Sequence, residues 1–318
     1  MTCSDIIKDR ARTLGFDACG VAAVAPIDPD DCLGAWLARG YHADMTWMAA
    51  TKDARQDITR KLPGARSVVV VARNYFAPRP PRPADSGRVS RYAWGRDYHR
   101  ALLKPVKRLA DAIRSLQPDA ACYISIDAGP VLEKAWAARA GIGWLGKNSL
   151  VLRPGLGSWM FLGVVATTVA LEPDAPMPDQ CGACRACLDA CPTGAIIAPG
   201  VVDAARCIAY GTIERRGDIP DDIARRMGDW VFGCDVCQDA CPWNRDVAPT
   251  TDPDFFPRPG RANPDLAELA SLDEHTFFDR FRGSPLVRAK CDGLRRNARI
   301  ARRNQLRDAE LAGPDEAS

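Results

Sequence analysis

Residues 181–192 read C-G-A-C-R-A-C-L-D-A-C-P, a C-x2-C-x2-C-x3-C-P array. This is the bacterial ferredoxin spacing: three close thiolates from a tight loop and a fourth from a distance converge on a cubane. A second, uneven copy follows, Cys207 and then Cys234-x2-Cys237-x3-Cys241-Pro242. In two-cluster ferredoxins the cysteine before proline is given to the other cluster. The spacing therefore assigns one 4Fe–4S cluster to Cys181, Cys184, Cys187 and Cys241, and the other to Cys191, Cys207, Cys234 and Cys237. Paired C-x2-C motifs also suit zinc, but the triple repeat and two Cys-Pro endings do not. The insertion Ile208–Gly233 is expected to loop out toward something else.

Working outward, eight of the 13 cysteines fall in this region. The odd total argues against a disulfide framework, and most of Cys3, Cys19, Cys32, Cys122 and Cys291 read as small apolar fillers. Upstream, Glu172–Gln180 carries three prolines and reads as a linker. Before it, strands are expected at 67–73 (SVVVVAR), 121–126 and within 159–171, with helices at 4–16, 100–116 and 131–140. Ser4 is the expected first N-cap, Pro105 a helix start or kink, and 77–88 a basic proline loop. Downstream of about residue 245 come a loop, helical pattern and a tail, AGPDEAS, expected to be disordered. The domains are thus 1–172, 173–245 and 246–318, and the fold class is α+β: an N-terminal α/β-type domain, a ferredoxin-like two-cluster domain and a short helical, basic C-terminus.

The 318 residues carry a net charge of +3 and are 47% apolar, which excludes a disordered chain. The longest near-apolar stretch, 159–171, is too short for a membrane span of about 20 residues. The charged N-terminus lacks a twin-Arg pair, so a cytoplasmic location is expected. The small net charge hides two basic segments. Residues 73–108 hold ten Lys+Arg against two acids, and 280–307 hold ten against one, so the remainder is acidic. Two such segments point to a polyanion, nucleic acid first, with two solvated faces as the alternative.

Two clusters make an electron carrier, and 172 further residues imply something that accepts the electrons. No G-x-G-x-x-G follows a strand and no P-loop is present. Asp97-x-His99-x-x-Leu102 approaches the D-x-H-x-x-G that offers cobalamin a histidine ligand, but lacks the glycine. Asp127 ends a strand beside a glycine turn, where ligands collect in α/β domains; a helix cap is the plainer role. The loop Gly141–Ser149 can bring backbone N–H groups up to a large flat or anionic ligand; an ordinary helix-to-strand connection is the equal alternative.

Taken together, the chain resembles the epoxyqueuosine reductase family of tRNA-modification enzymes. The resemblance rests on MTWMAATKDAR (45–55), LPGARSVVVVARNY (62–75), RYAWGRDYH (91–99), DAGPVLEKAWAARAGIGWLGKNSLVL (127–152), TGAI (193–196), CDVCQDACPWN (234–244) and SPLVRAKCDGLRRN (284–297). It implies a cobalamin-binding catalytic domain that reduces epoxyqueuosine to queuosine in the anticodon loop of tRNA, the last step of queuosine formation, through cob(I)alamin fed by the two clusters. It implies Asp127 as general acid, with a pKa raised by burial against the corrin. Arg55, Asp127, Lys147, Asn148, Ser149, Val151 and Asp235 are the expected corrin contacts; Tyr98 and His99 line the pocket or meet tRNA. Further expectations are a low-potential donor such as ferredoxin or flavodoxin, no membrane, and a monomer. The alternatives are a corrinoid iron–sulfur reductase acting on a small molecule such as an organohalide, and a nucleic-acid-binding protein with structural clusters.

Overall fold

The valine run at 67–74 becomes the heart of a sheet because both of its faces are covered. Successive strand residues point to opposite sides. Val69 and Val71 pack with Ile7, Leu102, Val106 and Leu109 on one side. Val68, Val70 and Ala72 pack with Trp136, Ala137 and Val164 on the other. In this computed structural model, which describes residues 2–312, the strand lies inside a four-stranded sheet. The order is Ala18–Ala23, Ser67–Asn74, Met160–Thr167, Cys122–Ser125, and every neighbouring pair is antiparallel. The α+β class stands, but the α/β-type description of the N-terminal domain is corrected: no strand of this sheet runs parallel to its neighbour. Alternating helices and strands along the chain do not encode strand direction.

Two helices, Cys3–Thr13 and Tyr98–Arg114, cover the first face. The first is capped by Thr2, which shares a capping box with Asp5, and not by Ser4. Ser4 is buried and its hydroxyl donates to Glu172 (2.9 Å), tying the linker to the helix. The second starts at the Asp97 N-cap and runs through Pro105. It seats closely because Gly163 has no side chain; a Cβ there would stand 2.9 Å from Val106 Cγ2. Glu133–Arg139 covers the other face.

The insertion 208–233 does not loop out. It forms helices Ile208–Ile213 and Asp221–Arg226 and a strand, Trp230–Phe232, that pairs parallel with Arg88–Val89. The C-terminal helix Lys290–Ala312 staples it down. Asn297 Nδ2 donates to the carbonyls of Thr212 (2.9 Å) and Val231 (2.8 Å), and Asn304 Nδ2 to those of Ala224 (2.8 Å) and Gly228 (2.9 Å). Residues 246 onward therefore share a core with Val89, Trp94 and Phe232. The tail beyond Ala312 lies outside the described residues.

Much of the basic charge is neutralised internally. Arg73 pairs with Asp252, Arg79 with Asp235, Arg82 and Arg88 with Asp229, Arg91 with Asp235 and Asp239, and Arg96 with Asp254. Arg288 precedes the C-terminal helix and pairs with Glu214 (2.7 Å), and Arg296 donates to the Gly211 carbonyl (2.6 Å). Lys104, Lys107, Arg108, Arg299, Arg302 and Arg303 remain exposed.

Candidate functional site

The segment after Cys122–Ser125 turns sharply, and Asp127 adopts a left-handed φ of 58°. For a residue other than glycine this conformation costs about 1–2 kcal/mol and persists only where neighbours enforce it. Glu133 does so. Its Oε1 accepts the Asp127 N–H (2.7 Å) and the Ser125 hydroxyl (2.7 Å). Asp127 is thus no helix cap; the helix that follows starts at Leu132 without a side-chain cap. The Asp127 carboxylate accepts from the Tyr98 hydroxyl and lies 3.4 Å from His99 Nε2. His99 Nδ1 is 2.8 Å from Asp97 Oδ1, so the imidazole bridges two carboxylates. Tyr98 is fixed by stacking on Phe161, centroids 4.5 Å apart.

This arrangement reverses the expected shift at Asp127. Burial pushes its carboxyl up, but the hydrogen bonds from His99 and Tyr98 and the nearby positive charges outweigh it, and the pKa is lowered. The proton sits instead on His99. Burial opposes its charge, yet hydrogen bonds to Asp127 and Asp97 raise its pKa to about 9. Glu133, a residue the motifs did not single out, is pushed up to about 7 chiefly by burial. Only its position, six residues beyond Asp127, hints at a role. Lys134 Nζ donates to the Ser149 carbonyl (2.8 Å).

Asp127 opens into a cavity of about 750 Å³. Its walls include Tyr75, Tyr98, Leu145, Met160, Phe161 and Leu162, with Arg55, Glu133, Lys134, Lys147 and Ser149 among the polar lining. Flat apolar walls with a few polar groups suit a large planar ligand. Of the seven expected corrin contacts, Arg55, Asp127, Lys147 and Ser149 line this cavity. Arg55 is held by Thr51 (2.9 Å), and the Ser149 hydroxyl donates to the Gly200 carbonyl (2.6 Å). Lys147 is already committed: its Nζ donates to the carbonyls of Gly182 (2.6 Å) and Cys184 (2.8 Å). Asn148 faces the cysteine region instead. The Val151 side chain falls on the core side of a hairpin and packs with Val164 and Trp136. Asp235 is fully buried and accepts from Ser90, Arg79 and Arg91. Neither of these two side chains is among the residues that line the cavity.

The fold sorts the cysteines into two sets. Cys181, Cys184, Cys187 and Cys241 line one small cavity of about 260 Å³ together with Leu152 and Trp243. Cys191, Cys207, Cys234 and Cys237 form the other set: the Cys207 thiol feels Cys191, and Cys237 feels both. Short helices Ala186–Asp189 and Val236–Asp239 carry Cys187 and Cys237. The second set lies on the cavity side, since Lys134 feels Cys237 and Cys207 as well as Asp127. Among the described residues no three Cys, His, Asp or Glu side chains converge as a single bound ion requires, whereas a cubane holds its thiolates farther apart.

Comparison with known proteins agrees. Residues 180–244 match the family described as "4Fe-4S double cluster binding domain". Residues 55–128 match "Epoxyqueuosine reductase QueG, DUF1730". The chain is 48% identical to an epoxyqueuosine reductase of Synechocystis sp. over 286 residues, covering 88% of this chain and 98% of the relative. A crystal structure of an epoxyqueuosine reductase with an epoxyqueuosine-modified tRNA-Tyr stem loop superposes with a TM-score of 0.87 at 30% identity, over 97% of this chain and 83% of the other. The Bacillus subtilis epoxyqueuosine reductase, with its catalytic loop swung out of the active site, gives 0.86 at 30% identity, over 98% of this chain and 86% of the other.

Proposed function

The chain belongs to the epoxyqueuosine reductase family, and on that premise we propose that it reduces epoxyqueuosine to queuosine in the anticodon loop of tRNA, with Asp127 delivering the proton. The observation that carries this reading is the Asp127 carboxylate, held by Tyr98 and His99 on a strained peptide that Glu133 pins, at a cavity beside two sets of four thiols. The reaction takes two electrons and two protons: the epoxide C–O bonds break, a C=C bond forms, and the oxygen leaves as water. A cobalamin held in the cavity would supply low-potential cobalt chemistry, and the 4Fe–4S clusters would supply single electrons. Arg55, Ser149 and the aromatic walls Tyr75 and Phe161 are the residues that would hold it.

The protein's own part is proton delivery and exclusion of water. His99 stores a proton between Asp97 and Asp127, Asp127 passes it to the departing oxygen, and the second proton reaches that oxygen by the same route once His99 is reprotonated from solvent. Tyr98 keeps the carboxylate aimed while the proton is in transit. Glu133 pins the strained peptide so that the carboxylate cannot swing back into an ordinary cap. The exposed arginines of the C-terminal helix, Arg299, Arg302 and Arg303, are placed to meet tRNA phosphates, which give affinity without reading sequence. Among the described residues no helix is long and apolar enough to cross a membrane. We place the enzyme in the cytoplasm as a monomer, fed by a low-potential carrier of the ferredoxin or flavodoxin class.

Expression in a cell lacking its own epoxyqueuosine reductase tests the reading. Mass analysis of digested tRNA should show queuosine replacing epoxyqueuosine. Persistent epoxyqueuosine with a folded, cluster-loaded protein would overturn it.

A further inference from the structure

One buried amide faces the first cysteine set with nothing to bond. Asn148 is 5% exposed, and its Oδ1 accepts the Leu150 N–H (3.2 Å). Its Nδ2 has no hydrogen-bond partner among the described residues, cysteine sulfurs included. The amide cannot turn round to relieve this, because the Leu150 N–H would then face another donor. The side chain lines the small cavity bounded by Cys181, Cys184, Cys187 and Cys241. Lys147, one residue earlier, clamps the carbonyls of Gly182 and Cys184 and so fixes this turn against the cysteine loop. A buried donor without a protein partner calls for an explanation, and an acceptor that is not part of the protein chain is one.

We propose that Asn148 tunes the first cluster: its Nδ2–H donates to a sulfur of the cluster held by Cys181, Cys184, Cys187 and Cys241, and raises that cluster's reduction potential. The inference rests on the two-cluster reading with crossed ligands. Reduction adds negative charge to the cluster, and a hydrogen bond to sulfur is stronger to the more negative state. Cys184 is exposed at this set, so an electron entering there meets a cluster made easier to reduce. The donor comes from the catalytic domain, so docking of the two domains itself sets the potential.

The test is a redox titration of the full-length, anaerobically reconstituted protein, followed by electron paramagnetic resonance. Asn148→Asp keeps the acceptor for Leu150 N–H and removes the donor; Asn148→Leu removes it without adding charge. In both variants one reduction wave should move to lower potential and the other should stay. At a fixed potential within that wave, the reduced-to-oxidised ratio should fall about tenfold, equivalent to 59 mV for one electron. The wave that moves should be the one lost in Cys184→Ala. Unmoved waves, or equal movement of both, in variants holding about eight iron would overturn the role of Asn148. As a check that needs no variant, asparagine labelled with 15N in the side-chain amide should give a hyperfine coupling on one reduced cluster of the native protein; no coupling would equally overturn it. Two waves absent from the native protein would instead sink the two-cluster reading.

Discussion

Asp127 combines three properties that one aspartate rarely holds together: a left-handed backbone, two side-chain donors on its carboxylate, and a half-buried glutamate fixing its peptide. A group so constrained exchanges a proton without moving. Asp127→Asn keeps the shape and cannot deliver a proton, so turnover should fall by about two to four orders of magnitude while tRNA binding persists, as a single-turnover assay beside a binding assay would read. His99 gives the pH dependence its sign. Its folded pKa stands above the ordinary value of 6.5, so its ion pairs are fully present below that pH and are lost as pH rises through about 9. The single-turnover rate should therefore fall through about pH 9, and His99→Gln should be slower and flat there. Glu133 behaves oppositely to a paired carboxylate. Its pKa rises from 4.5 to about 7, so the folded protein holds a proton that the unfolded chain has lost, and stability should decline as pH rises between those values. Thermal melts of Glu133→Gln should lack that decline.

At the scale of elements, the C-terminal helix does two jobs on two faces. Asn297 and Asn304 hold the 208–233 insertion, while Arg299, Arg302 and Arg303 stay exposed. Replacing these three arginines together with Gln should weaken tRNA binding and flatten its salt dependence, by about 0.7–0.9 in slope for each phosphate no longer neutralised. An unchanged salt slope in a filter-binding titration would move the surface to Lys104, Lys107 and Arg108. What was legible in the sequence follows the same division. The strand 67–73 was plain because a run of valines needs two apolar faces, and the cysteine spacing was plain because its chemistry is local. Strand direction was not, since Val69 meets Val21 and Val165 through distant pairings. Asp127 showed itself as a strand-end carboxylate, whereas Glu133 was hidden inside an ordinary helical pattern, its partners Ser125 and the Asp127 N–H belonging to another element. Asn148 was visible as part of a glycine loop, but not the cavity it faces.

For the whole molecule, the fold gathers a cysteine set with Cys184 exposed, a second set near Lys134, and a cavity lined by Asp127. Reconstituted protein should carry about eight iron and eight sulfide per chain, and Cys241→Ala should damage the cluster of Cys181, Cys184 and Cys187 rather than that of Cys234 and Cys237. The arrangement has a function only if electrons taken up by the clusters open an epoxide in the cavity. The most direct measurement is a single turnover: purified enzyme loaded with both clusters and cobalamin, reduced anaerobically, mixed with epoxyqueuosine-containing tRNA, and the digested nucleosides weighed by mass spectrometry. Queuosine should appear as epoxyqueuosine disappears, one product for every two electrons consumed. Clusters that are oxidised while epoxyqueuosine remains intact would contradict the account.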